Sequence, residues 1–144
     1  MSGTIKSFHD LEVYQRGMAL LRPVHDIVLT FPDYEKFDLA SQLRRACKSV
    51  PANIAEGYAK RRSAKEFRAY LANAMGSATE MEVHLEIARE LGYITTDQCA
   101  RLVDEYKILA RQLYRLIEKW RSGDVRPPTS DLPATAPNGT EAAR

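Results

Sequence analysis

Four long stretches of this chain repeat apolar residues at three- and four-residue spacing, and none alternates apolar with polar residues as a half-buried strand does. That periodicity admits helices packed on helices and little else. The breaks are legible. Pro32 ends a first helix that starts near Phe8. A second helix covers about Phe37 to Arg61. Ser63-Ala-Lys-Glu66 is a capping-box pattern for a third, which Gly92 closes as a left-handed cap. Thr95-Thr-Asp-Gln98 repeats the capping box for a fourth, which runs to about Arg121 and ends among Arg115, Lys119 and Arg121, where the helix dipole favours cations. Short links between four helices predict an all-α, antiparallel, up-down-up-down four-helix bundle over residues 1–121, with the second helix kinked at Pro51. Four of the seven prolines fall after residue 122, among Gly, Ser, Thr and Ala, so residues 122–144 are expected to form a disordered tail.

Helical wheels separate the four helices. The second has one apolar arc, Leu39, Leu43, Cys47, Val50, Ile54 and Tyr58, and the fourth has another, Leu102, Tyr106, Leu109, Leu113, Leu116, Ile117 and Trp120. The third helix carries a core stripe of Phe67, Leu71, Ala74, Ala78, Met81 and Leu85. It carries a second stripe of Ala69, Ala72, Gly76, Val83 and Ile87 on the opposite side. The first helix also has two: Leu11, Tyr14, Met18, Leu21 and Leu29 on one side, and Val13, Leu20, Val24, Ile27 and Phe31 on the other. A bundle buries one stripe per helix. The surplus predicts a homo-oligomer joined through Val13, Leu20, Val24, Ile27, Ala69, Ala72, Gly76, Val83 and Ile87.

Charge is near balance overall but unevenly spread. Between Arg44 and Arg68 eight basic residues face two acids, and between Ser77 and Glu105 seven acids face two arginines. Such polarity suits an anion on one side, or stacking of copies. The basic residues Arg44, Lys48, Lys60, Arg61, Arg62, Lys65 and Arg68 are the candidates for contact with nucleic-acid phosphates. A polar strip beside the core, Arg45, Ser49, Asn53 and Glu56 with Asn73, Ser77, Glu80 and His84 across from it, reads as a structural network with Arg45 facing Glu56 or Glu80.

Chemistry is sparsely supported. Glu80 and His84 lack the Glu-x-x-His spacing of di-iron bundles, so no metal or other cofactor is expected. No nucleophile elbow and no triad context is present, which argues against an enzyme. Cys47 and Cys99 sit beside apolar residues and are expected to be buried thiols in a reducing compartment. No apolar run reaches membrane-spanning length, so a cytoplasmic protein without a membrane partner is expected.

The stretch Gln42-Leu-Arg-Arg-Ala-Cys-Lys-Ser-Val-Pro-Ala-Asn-Ile-Ala-Glu-Gly57 resembles the signature of the bacterial four-helix-bundle proteins called 23S-rRNA intervening-sequence proteins. Leu11-Glu-Val-Tyr-Gln15, Phe31-Pro-Asp-Tyr-Glu35, Ser63-Ala-Lys-Glu-Phe67, Ala74-Met-Gly-Ser77 and Leu91-Gly-Tyr93 agree with it, and the likeness covers about Phe8 to Trp120. The resemblance implies a homopentameric bundle. It also implies similarity in fold to the accessory variability determinant of diversity-generating retroelements, a basic pentamer that associates with nucleic acid and a reverse transcriptase. Pro23 within the first helix, and His25 at an expected aromatic position, depart from the pattern. Two functions stay open at this point. One is a non-enzymatic oligomer that binds RNA or DNA without sequence preference. The other is a scaffold for a protein partner, such as a reverse transcriptase or a ribonucleoprotein.

Overall fold

The computed structural model describes residues 4–122 and contains, among them, helices and no strand. The first leg of the bundle is two short helices, α1 (Glu12–Ala19) and α2 (Leu21–Val28). The others are α3 (Leu39–Ala59), α4 (Ala64–Glu90) and α5 (Thr96–Ser122). The expected tail falls, beyond Ser122, outside the described residues. Helix α3 packs along α4 and α4 along α5, while α1 and α2 lie on α3 and α1 also touches α5. This is the expected up-down-up-down order. No described helix is long and apolar enough to cross a membrane.

The first leg is broken where Pro23 dictates. Its ring nitrogen cannot donate to the carbonyl of Ala19, four residues back, and helix α1 stops there. By contrast α3 runs unbroken past Pro51, which is buried. There α1 comes close: a Cβ added to Gly17 would meet Val50 Cγ1 at 3.3 Å and Pro51 Cδ at 3.6 Å.

That close approach corrects the oligomer interface drawn from the first helix. Val13, Leu20, Val24 and Ile27 are between 0% and 8% exposed and belong to the core of the single chain. Met18 and Leu29, from the stripe assigned to the core, are 42% and 71% exposed. The two stripes are equally apolar, so a wheel alone does not rank them. Gly17 does: it sits between Val13 and Leu20, on the side that must approach α3 most closely. The α4 assignment differs in outcome. Phe67, Leu71, Ala74, Ala78, Met81 and Leu85 are buried, whereas Ala69, Ala72, Gly76, Val83 and Ile87 face out of the chain.

The helix ends follow the sequence signals. Ser63 Oγ accepts from Glu66 N–H at 3.1 Å, although Ser63 N–H goes to the Lys60 carbonyl rather than to Glu66. The Thr95–Gln98 box is reciprocal, at 2.8 and 3.0 Å. Gly92, at φ 80°, lets Tyr93 N–H reach the Ala88 carbonyl and its own N–H reach that of Arg89, the full Schellman pattern.

One cap was not foreseen. Asp38 precedes α3 but does not cap it. Glu35, 8% exposed, takes that role, accepting Leu39 N–H at 3.1 Å through Oε1 and the Tyr93 hydroxyl at 2.7 Å through Oε2. The Tyr34 hydroxyl, 3.2 Å away, and then Glu35 hold the Tyr93 phenol above its ordinary pKa. Glu35→Ala removes the cap and strips Tyr93 of its carboxylate, and should cost about 2 kcal/mol in chemical denaturation. Glu35→Gln, which keeps an acceptor oxygen, should cost less.

Candidate nucleic-acid interface

The α3–α4 turn is built on an aromatic plug. Phe67 meets Trp120 edge to face at 4.6 Å and lies 6.3 Å from Tyr58, which closes this end of the core. Two of the expected phosphate-binding arginines serve this plug. Arg61 is 5% exposed, stacks its guanidinium 3.9 Å from the Tyr58 ring centroid, and donates to the Tyr58 carbonyl at 2.9 Å. Arg68 is half-buried and donates to the Trp120 carbonyl at 3.1 Å near the end of α5, where orphan carbonyls favour a cation. Arg61 therefore leaves the list of surface cations, and Arg68 is committed within the chain. The sequence carried the signal for Arg61: it continues the arc Val50, Ile54, Tyr58 at helical spacing.

Lys60, Arg62 and Lys65 are exposed around the same turn. Lys60 donates to the Tyr70 hydroxyl at 2.9 Å, and that hydrogen bond keeps its ammonium above its ordinary pKa, so it stays charged. The Tyr70 hydroxyl lies 3.3 Å from Glu56. Three cations thus project from a turn whose backbone is fixed from below.

Arg44 and Lys48 lie elsewhere. Lys60 lies twelve residues beyond Lys48, about 18 Å along the α3 axis. The basic stretch is therefore two surfaces rather than one. Lys48 is exposed, and Arg44 is half-buried, its Nη2 donating to the Lys36 carbonyl at 3.1 Å. Both line a groove toward α2 together with Arg22 and His25, which the sequence reading did not single out. A contact between separate helices leaves no mark in local spacing.

The polar strip divides as well. Ser49 Oγ and Ser77 Oγ are 2.8 Å apart, and Asn53 Nδ2 donates to Ser49 at 2.9 Å, which ties α3 to α4. Arg45 is exposed and makes no ion pair with Glu56 or Glu80 among the described residues. Glu56 belongs to the Tyr70–Lys60 set instead, and Glu80 pairs with His84 at 3.1 Å. An ion pair that the sequence did not suggest, Arg16 to Glu105 at 2.6 Å, joins α1 to α5, with Gln112 accepting from Arg16 Nε at 3.2 Å.

Both cysteines are free and buried, and burial raises the pKa of each thiol, which disfavours the reactive thiolate. Among the described residues no three His, Cys, Asp or Glu side chains gather as a metal site.

Fold and surface together define a helical-bundle protein whose distinguishing features are a pinned basic turn and an exposed apolar stripe. The sequence profile described as 23S rRNA-intervening sequence protein matches residues 9–115, and the chain belongs to that family. A crystal structure of a protein of unknown function from the S23 ribosomal protein family of Bacteroides thetaiotaomicron is similar in fold. Its TM-score is 0.66 at 24% identity, covering 74% of this chain and 98% of that one. No curated protein matches significantly.

Proposed function

We propose that this chain is a non-enzymatic homo-oligomer that binds RNA or DNA without marked sequence preference through the α3–α4 turn. The observation that carries this reading is the outward projection of Lys60, Arg62 and Lys65 from a turn held by the Tyr58–Phe67–Trp120 plug. Side chains on a rigid base lose less freedom when they meet phosphates. The aromatic ring beside them, Tyr70, is half-buried with the Lys60 ammonium over it, so the contacts are electrostatic and position a strand without reading its bases.

The oligomer reading is supported by exposed apolar residues on two legs of the bundle that do not touch. On α4 they form the stripe that includes Val83 and Ile87, and on the first leg they are Met18 and Leu29. Different surfaces on opposite legs favour head-to-tail contacts, which close into a ring when the rotation per subunit divides a full turn. A ring repeats the basic turn once per subunit, and repetition turns weak phosphate contacts into avidity. A pentamer is the ring that the family resemblance implies.

Gel retardation tests the binding. The wild type should retard structured RNA and duplex DNA at low salt. The triple variant Lys60→Glu, Arg62→Glu, Lys65→Glu should weaken binding by at least about 100-fold, because each contact replaced by a repulsion removes a released counterion. Arg61 is left intact, since reversing a buried, stacked guanidinium would disrupt the turn itself. Absence of retardation at low salt would overturn the reading and favour a scaffold for a protein partner.

A further inference from the structure

The groove between α2 and α3 gathers basic side chains without an acid. Arg22 and His25 come from α2, and Arg44 and Lys48 from α3. No carboxylate lines it, and none of these four makes an ion pair among the described residues. Asp26, one turn beyond Arg22, does not pair with it either. Like charges converging from two helices repel unless an anion sits between them. Arg44 is partly fixed by its bond to the Lys36 carbonyl, which orients one edge of its guanidinium. The accessible apolar surface of the groove is Leu21, which lies over the buried Val24 and Cys47, and the open groove has a volume of about 570 Å³, within the range of small-molecule sites.

We propose that this groove holds a nucleotide phosphate, with Arg22, Arg44 and Lys48 on the phosphate oxygens and the flat base against Leu21. Guanidinium groups match phosphate bidentately, and an apolar floor accepts a base face at no cost in hydrogen bonds. A free nucleotide and the phosphorylated end of a strand present the same chemistry. Where a strand is the source, the site extends the nucleic-acid reading above. Where a free nucleotide is the source, it stands apart from that reading.

Calorimetric titration with adenosine monophosphate and with adenosine, at low salt, tests it. The monophosphate should bind and adenosine should bind at least about tenfold more weakly, because the phosphate supplies the charge. Arg22→Glu with Lys48→Glu, two exposed substitutions whose fold is checked by circular dichroism, should abolish monophosphate binding. The Lys60, Arg62, Lys65 variant should keep it. Equal binding of adenosine and its monophosphate would overturn the proposal, as would unchanged monophosphate binding in the groove variant. Oligonucleotides with and without a 5′-phosphate separate the sources: a strand end is identified by tighter, groove-dependent binding of the phosphorylated form, and a free nucleotide by indifference to it. Monophosphate binding without any strand retardation supports the groove and removes the nucleic-acid reading. Strand retardation untouched by the groove variant, with no monophosphate binding, does the reverse.

Discussion

Replacing Gly57 with alanine is expected to destabilise the fold by about 2 kcal/mol and lower its melting temperature by roughly 8 °C. Helix propensity alone predicts the opposite sign, a gain of up to about 1 kcal/mol for removing a glycine from a helix interior. The geometry decides between them. A Cβ at Gly57 would stand 2.6 Å from Tyr70 Cβ and 3.2 Å from Phe67 Cδ1. Tyr70 Cβ is fixed by its own backbone, so no rotamer relieves the contact and α3 and α4 must separate. Separation also lifts Phe67 from Trp120 and loosens the plug that pins the basic turn. Thermal melts of the variant and the wild type check the sign, and weaker nucleic-acid retardation by the folded variant would follow from the loosened turn.

The second large effect concerns assembly. Val83→Glu with Ile87→Glu places two charges on an exposed apolar stripe, 49% and 40% open in the single chain. The monomer fold loses little, because neither residue is in the core, and circular dichroism should be unchanged. Light scattering should find an oligomer for the wild type and a monomer for the variant. Losing the ring should also cost nucleic-acid avidity on the order of 10- to 100-fold, although no basic residue is altered. A wild-type monomer would end the assembly argument. Full affinity in a monomeric variant would mean that a single turn suffices.

The helices, their caps at Ser63, Gly92 and Thr95, and the buried arcs of α3, α4 and α5 were legible because each rests on local spacing. What spacing could not rank was which of two equally apolar stripes on the first leg meets α3. Gly17 and Pro51 settle that only when seen together across helices. The Glu35 cap escaped for a similar reason: Asp38 occupies the usual position, and a residue from the preceding turn replaces it. Within the basic stretch, composition showed the density of charge but not its direction. Arg61 turns onto Tyr58 and Arg68 reaches Trp120, whereas Lys60, Arg62 and Lys65 stay exposed, Lys60 with its ammonium on Tyr70. Arg22 and His25 could not be joined to Arg44 and Lys48 without the fold.

The central claim is electrostatic, so its most direct test is the salt dependence of binding. The affinity of the wild-type protein for a structured RNA, measured between about 50 and 200 mM monovalent salt, should fall on the order of 100-fold along a straight log–log line. The Lys60, Arg62, Lys65 variant should give a shallower line from a weaker start. An affinity that does not change with salt, or no binding at the lowest concentration, would contradict the account.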